Sequence, residues 1–449
     1  MSPAVDRRAR QRAYRVRAAS GIALYVLLAL APLVLMLLAP LPAGREFLRE
    51  LSVALAFAGA GILGLQFVLS ARLRRLKAPF GIDAVYHFHR RMSYVALGLV
   101  LAHPVLLFVM DPALLALLNV FAAPWRARAA VAAVASLGAI VASSVWRQRF
   151  KLRYETWRGL HDVLAVAVVV LAVLHMQGIG HYVSAPWKRA LWIVYPTLWA
   201  LAFAWVRVGK PLVKARRPYR VSEVRREGRD TWTLAFEPQG HPGMGFLPGQ
   251  FAWVTLRRSP FSLEEHPFSF SSAAPAGKSG FEMTVKELGD FTSRIGEVEP
   301  GEVAYLDGPY GAFTTDRYDA AGYVLIAGGI GITPVMSVLR TAEERGDDTA
   351  CTLVFAAKAE EDLVFREEIG RLSDVLPLKV AYVLEEPPEG WTGERGFVTR
   401  ELLERYVAEP LERDYFLCGP PAMLDAVSAA LAEMRVPARR VHYERFALV

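Results

Sequence analysis

The chain has 449 residues, 53% of them hydrophobic, a formal net charge of +8 and two cysteines, Cys351 and Cys418. That length accommodates two or three domains. Two cysteines in the polar half exclude a disulfide framework and a Cys-based metal site. The positive charge gathers at the edges of apolar runs, which argues against a nucleic-acid partner.

The hydrophobic residues are unevenly placed. Residues 1–210 are apolar runs separated by short basic segments, whereas 211–449 read as an ordinary soluble α/β sequence. The chain opens on Arg7, Arg8, Arg10, Arg12, Arg15 and Arg17 before its first apolar run. No small-residue cleavage site follows and further apolar runs do, so this stretch predicts a cytoplasmic arm and first anchor rather than a cleaved signal.

Six segments are long enough to span about 30 Å of hydrocarbon, near 21–39, 51–70, 87–110, 128–145, 159–177 and 188–206. Basic residues set their expected orientation. The segment after the second run holds Arg72, Arg74, Arg75 and Lys77, and that after the fourth holds Arg147, Arg149, Lys151, Arg153 and Arg158. The alternate loops are poorer, with Arg45 and Arg49 in one and Arg126 in the next. The N-terminus, the basic loops and the polar half are therefore expected on the cytoplasmic side of the cell membrane.

The third and fifth runs each carry two histidines 14 residues apart, His89 and His103, then His161 and His175. Fourteen helical steps return to within about 40° of one face and advance about 21 Å. Side by side, two such helices present two facing histidine pairs at two depths, a common way to hold haem iron from both sides. A buried hydrogen-bonding group or a proton relay is the other reading of an intramembrane histidine. Neighbouring histidines act as controls: His87 to His103 and His161 to His181 each fall about 160° off face. The orientation places His89 and His161 near the cytoplasmic side and His103 and His175 near the outer side. Arg90 and Arg91 either meet anionic haem propionates or anchor the inner membrane face. Pro104 suits a kink beside His103, and Trp187, Trp192 and Trp199 read as interface or packing aromatics. His181 and Tyr182 fall in an outer loop.

In the polar half, 210–218 is a basic, proline-bearing linker. Residues 219–256 alternate apolar and polar residues between turn signals, as antiparallel strands do. The motif His266-Pro267-Phe268-Ser269-Phe270-Ser271 follows, and then a strand ending at Lys286 that meets a helix start at Gly289-Asp290-Phe291-Thr292. Amides at that start suit a pyrophosphate. An apolar strand at 323–327 runs into Gly328-Gly329-Ile330-Gly331-Ile332-Thr333-Pro334 and a helix. Strand, glycine turn and helix in that order bring backbone amides to a phosphate-bearing ligand. Two more strands end at Lys358 and at Cys418-Gly419-Pro420, on the edge where parallel sheets bind nucleotides.

These motifs, in this order, resemble the ferredoxin–NADP reductase superfamily. With the six-span, four-histidine half before them, residues 20–449 are similar to the ferric reductase/NADPH oxidase family. The resemblance implies a multidomain protein: an all-α six-helix transmembrane bundle, an antiparallel β-barrel FAD domain and an α/β parallel-sheet nicotinamide nucleotide-binding domain. The expected division is an arm at 1–20, the bundle at 21–208, a linker at 209–216, the FAD domain at 217–316 and the nucleotide domain at 317–449.

The resemblance also implies roles. His266, Pro267, Phe268, Ser269, Phe270 and Ser271 match the FAD motif, with Ser269 near the flavin N5, Phe268 lining the flavin and His266 at the pyrophosphate. Lys286, Gly289, Phe291 and Thr292 belong to the second flavin segment. Gly329, Gly331, Thr333, Pro334, Lys358, Cys418, Gly419 and Pro420 belong to the NADPH site. Ser269, Cys418, Glu444 and Phe446 are the expected catalytic set, Phe446 covering the flavin. Phe446 departs from the family pattern, because Ala447, Leu448 and Val449 follow it. The position that often holds a phosphate-reading serine-arginine pair holds Ala357-Lys358, and a lysine offers a point charge without arginine's fork. NADPH is favoured, with NADH possible.

A nicotinamide gives two electrons together and a haem takes one, so a flavin belongs between them. The implied path runs from NADPH through FAD and two b haems, ligated by His89 with His161 and His103 with His175, to an outer acceptor. Oxygen gives superoxide; a ferric chelate or a protein partner are alternatives, as is a haem-free transporter with a fused reductase. Lipid surrounds the bundle, and no obligate protein partner is expected.

Overall fold

The computed structural model describes residues 3–40, 42–72, 82–275 and 280–444, with the side chains of all of these except 3–15 and 82–83. Two compact units emerge, one of them Arg17–Leu76 with Ala84–Pro211 and the other including Leu212–Val449.

The first unit is helical. Among the described residues six helices are long and apolar enough to cross a membrane: Val16–Met36, Phe47–Ser70, Ala84–Met110, Trp125–Val145, Tyr154–Ile179 and Pro186–Ala215. Each covers one of the expected runs. At about 1.5 Å per residue, 21 residues reach about 31 Å. Many apolar side chains face outward, including Val109 at 72% and Val163 at 68% exposure, as lipid-facing helices require. The buried cluster is aromatic, with Phe57, Trp192 and Trp199 beside Met36 and Val183. Trp192 and Trp199 are thus packing residues, while Trp187 is exposed.

Among the described residues of this unit Arg72 and Lys188 are buried cations. Lys188, 1% exposed, donates to the carbonyls of Met36 at 2.7 Å and Pro40 at 3.0 Å. Both acceptors lie where the first helix ends, so the ammonium satisfies carbonyls that have no helical partner.

The second unit has two sheets. The strands β1 (Tyr219–Arg226), β2 (Thr231–Pro238), β3 (Phe251–Leu256), β4 (His266–Ser269), β5 (Phe281–Lys286) and β6 (Val303–Tyr310) form an antiparallel sheet in the order β4-β3-β6-β1-β2-β5. It wraps a core of Leu234, Phe236, Phe270, Phe281 and Met283 as a half-barrel. Pro267 sits on β4, an edge strand, where a missing N–H is tolerated.

The strands β7 (Tyr323–Gly328), β8 (Cys351–Ala357), β9 (Leu378–Leu384), β10 (Glu394–Arg395), β11 (Asp414–Cys418) and β12 (Val441–Glu444) form a parallel sheet in the order β10-β9-β8-β7-β11-β12. Alternate residues of β7 enter two cores. Leu325 and Ala327 meet the helices Ile332–Arg345 and Arg366–Val375. Val324 and Ile326 meet the helices Arg400–Tyr406 and Pro421–Glu433. Helices on both faces explain why β7 is a continuous apolar run. Strand order reverses between β7 and β11, which opens a crevice at their C-terminal ends.

The half-barrel and the parallel sheet are bolted together. Arg340 holds Glu368 through two 2.7 Å bonds and also donates to the Ser271 carbonyl at 2.9 Å and Glu282 at 3.2 Å. The Thr341 hydroxyl accepts from Ala274 N at 2.8 Å.

Candidate functional site

In the helical unit, His89 and His103 lie on the third helix and His161 and His175 on the fifth. The His89 and His161 rings face each other with centroids 6.4 Å apart and planes at 46°. His103 and His175 lie within electrostatic reach of each other. A metal held about 2 Å from one nitrogen of each ring puts the two centroids roughly 6 Å apart. Among the described residues no group of three or more His, Cys, Asp or Glu forms a metal cage. The 6.4 Å between the His89 and His161 centroids leaves that space, so this pair fits the haem expected there.

His103 and His175 each have an oxygen beside Nδ1. His103 Nδ1 lies 3.3 Å from Ser52 Oγ, and His175 Nδ1 lies 2.9 Å from the Arg126 carbonyl. Ligating histidines ordinarily have such a partner on the nitrogen away from the metal. Trp157 packs edgewise on His161 with centroids 5.6 Å apart. Arg90 and Arg91 are exposed. His181 and Tyr182 are half-buried and stack edge to face at 4.8 Å.

Sequence reasoning missed one ion pair here, Asp162 with Arg207. Arg207 lies in a five-residue π-helical turn, Trp205–Gly209, within the sixth helix. Such turns recur at functional sites. The signal available was an aspartate next to His161 and an arginine in an apolar run.

In the second unit, β4 carries the whole of the predicted FAD motif up to Ser269. His266 stacks on Phe291 with centroids 3.9 Å apart and planes at 20°, and Phe268 lies nearly parallel to Phe291 at 6.1 Å. Two motifs 25 residues apart in the chain thus form one aromatic wall. Ser269 is buried at the end of β4, and its neighbour Phe270 points into the barrel, stacked on Phe246 at 3.9 Å. Ser271 is buried as well and serves Arg340 through its carbonyl.

Two residues of the expected second flavin segment are engaged within the protein. Lys286 Nζ sits 2.8 Å from Asp362 and 3.4 Å from Asp230. Burial opposes its charge, but the two carboxylates prevail and hold the ammonium above the ordinary lysine range. Thr292 Oγ1 accepts from the amides of Leu288 at 2.8 Å and Gly289 at 2.9 Å. The helix there is a six-residue 3-10 turn, Thr292–Glu297, so Thr292 orders the turn and uses two of the amides expected for a pyrophosphate.

The glycine turn lies at the crevice. Gly329 has φ +53°, a conformation glycine adopts without strain. A β-carbon on Gly331 would overlap the Cys418 carbonyl oxygen, so only glycine lets the turn after β7 approach the end of β11. Thr333 and Pro334 open the next helix, buried, with Thr333 Oγ1 3.4 Å from the Thr284 carbonyl. Cys418 is flanked in register by Ala327 of β7 and Glu444 of β12. Gly419 and Pro420 then lead into the helix at Pro421. Burial and the Glu444 carboxylate both push the Cys418 thiol up, so it stays protonated. Lys358 follows β8, exposed, with Nζ 3.4 Å from Glu386. Phe446 lies outside the described residues.

The fold defines a multi-pass membrane protein with a parallel-sheet domain of the nucleotide-binding kind. Comparison with known families agrees: residues 55–172 match the ferric reductase like transmembrane component, and 325–429 match the oxidoreductase NAD-binding domain. One stretch of the chain is thus similar to the ferric reductase like transmembrane component and another to the oxidoreductase NAD-binding domain.

Among curated relatives, NADH-cytochrome b5 reductase 2 of Phaeosphaeria nodorum is 36% identical over 192 residues, which is 40% of this chain and 57% of that protein. The flavohemoprotein of Bacillus subtilis is 26% identical over 239 residues, 52% of this chain and 60% of that one. The match thus spans less than two thirds of either relative. The FAD/NAD-binding domain of nitric oxide dioxygenase from Vibrio cholerae superposes with a TM-score of 0.46 at 22% identity, covering 51% of this chain and 97% of that domain.

Proposed function

We propose that this protein carries electrons from cytosolic NADPH, through FAD and two b-type haems, to molecular oxygen on the outer side of the cell membrane. The observation that carries the reading is the pair of histidine-bearing helices, with the His89 and His161 ring centroids 6.4 Å apart, in one chain with an oxidoreductase NAD-binding domain. Bound FAD would accept the two electrons of a hydride and release them singly, and bound haem would carry one at a time.

The chain's own residues do the holding and excluding. The turn from Gly329 to Gly331 and the helix starting at Ile332 offer amides to the nucleotide diphosphate. Cys418, Gly419 and Pro420 close the crevice beside the nicotinamide, and the protonated Cys418 thiol brings no charge there. Ser269 would face the flavin N5 from β4, while His266, Phe268 and Phe291 form an apolar wall. His89 with His161 would take the inner haem and His103 with His175 the outer one. Both histidines of each pair would then be taken up in holding a haem, which leaves neither to bind the acceptor. The balance is one NADPH and two oxygens giving NADP⁺, one proton and two superoxide ions.

The match to the ferric reductase like transmembrane component supports a second reading, a ferric chelate as acceptor. NADPH-driven reduction of cytochrome c, with and without superoxide dismutase, separates them. Loss of most of the signal with dismutase is the expected result. A signal that dismutase leaves intact overturns the oxygen reading in favour of a chelate or a protein acceptor.

A further inference from the structure

We propose that Ser52 is a positioning residue for His103: its hydroxyl oxygen fixes which ring nitrogen carries the proton and so leaves Nε2 free to ligate. This rests on the haem reading of the four histidines. Ser52 lies on the second helix, not on either histidine-bearing helix, and is fully buried. Its Oγ lies 2.8 Å from the Arg49 carbonyl and 3.3 Å from His103 Nδ1.

A hydroxyl has one proton. A carbonyl only accepts, so at 2.8 Å the Ser52 proton belongs to Arg49. The hydroxyl then turns a lone pair toward His103, and Nδ1 must be the nitrogen that carries the ring proton. In a neutral imidazole, that leaves the lone pair on Nε2.

His175 is set the same way by different means. His175 Nδ1 lies 2.9 Å from the Arg126 carbonyl, which accepts only, so its Nε2 is bare as well. Both rings of the outer pair are thus locked into the ligating tautomer by oxygens from the second and fourth helices. Those helices supply no ligand themselves. A packing serine needs none of this, since its bond to the carbonyl three residues back already satisfies its proton.

An acceptor on Nδ1–H also makes the ring a stronger donor to a metal. Ser52→Ala should therefore raise the reduction potential of the outer haem and speed its loss to apomyoglobin about tenfold, while the inner haem keeps the wild-type values. Ser52→Thr, which retains a hydroxyl, should restore both. Full-length protein in detergent, followed by redox titration of the visible bands and by electron paramagnetic resonance, supplies these readouts. The inner haem of the same molecule reports whether the variant has folded. An Ala variant with both haems at wild-type potential and retention overturns the role of Ser52. Wild-type protein without a Soret band overturns the haem reading beneath it.

Discussion

Gly331 stands against the carbonyl oxygen of Cys418, and a single β-carbon there would overlap it. The neighbour is backbone at the end of a buried strand, so it has little room to yield. Gly331→Ala should destabilise the reductase unit by about 3 kcal/mol or more. Nucleotide-driven flavin bleaching should be lost with it. Thermal unfolding followed by flavin fluorescence checks the first effect and anaerobic stopped flow the second. A variant that melts and bleaches like wild type would mean the turn has another shape.

Lys214 and Glu265 form a nearly buried ion pair, with Nζ and Oε2 3.6 Å apart and side chains 9% and 7% exposed. The pair ties the last turn of the linker helix to the residue before the FAD motif. Removing one partner strands the other charge, at a cost of roughly 3–5 kcal/mol. Lys214→Met should therefore lower the melting temperature and weaken FAD retention. The double variant Lys214→Met/Glu265→Leu should recover much of that loss. If the double change is as harmful as the sum of the two single ones, the pair is not coupled.

Both thiols are held protonated. Burial and Asp347 push Cys351 up to about 12, and burial and Glu444 raise Cys418 as well. Thiolate-dependent labelling at pH 8 should reach neither until the protein is denatured. The sign of the pH effect follows. Above about pH 8.5 the unfolded thiols lose protons that the folded ones keep, so stability should fall by about 1.4 kcal/mol per thiol per pH unit. This contribution is complete below pH 8.5 and is lost as pH rises toward the folded values. The double variant Cys351→Ala/Cys418→Ala should flatten that alkaline decline. An equally steep decline would assign it to other groups.

Lys358 meets Glu386 at 3.4 Å, with both side chains mostly exposed. An exposed pair of this kind is worth under about 1 kcal/mol, so a 2′-phosphate can take the lysine from its partner. Lys358→Ala should raise the KM for NADPH about fivefold and leave that for NADH unchanged. Glu386→Gln should lower the KM for NADPH. Steady-state flavin reduction with both nucleotides is the check, and equal effects on the two would remove Lys358 from the phosphate site.

The helical unit was legible in the sequence because membrane hydropathy needs no tertiary information: each span is written in one contiguous run. The closeness of His89 and His161 was legible for a related reason, since a 14-residue spacing fixes a helix face before any neighbour is known. The glycine turn after β7 was equally plain, because strand, turn and helix follow one another directly. What was not legible depends on residues far apart in the chain. Lys286 is expected in the FAD set, and its bond to Asp362, 76 residues on, has no local signal. Phe270 belongs to an FAD-like motif by position, yet alternation along the sheet turns it onto Phe246 in the core. Thr292 was placed near a phosphate, whereas its hydroxyl caps the turn it belongs to. Arg207 reaches Asp162 only because a π-helical turn interrupts the sixth helix, and no local pattern announced that turn.

The central claim is tested most directly by counting haem and watching it fill with electrons. FAD-loaded full-length protein is assayed by pyridine haemochrome, then mixed with NADPH under argon while the visible spectrum is recorded. The expected result is two b haems per chain, both reduced by NADPH, with one of them lost in His103→Ala while flavin bleaching persists. Protein without haem, or haem reduced by dithionite and never by NADPH, would contradict it.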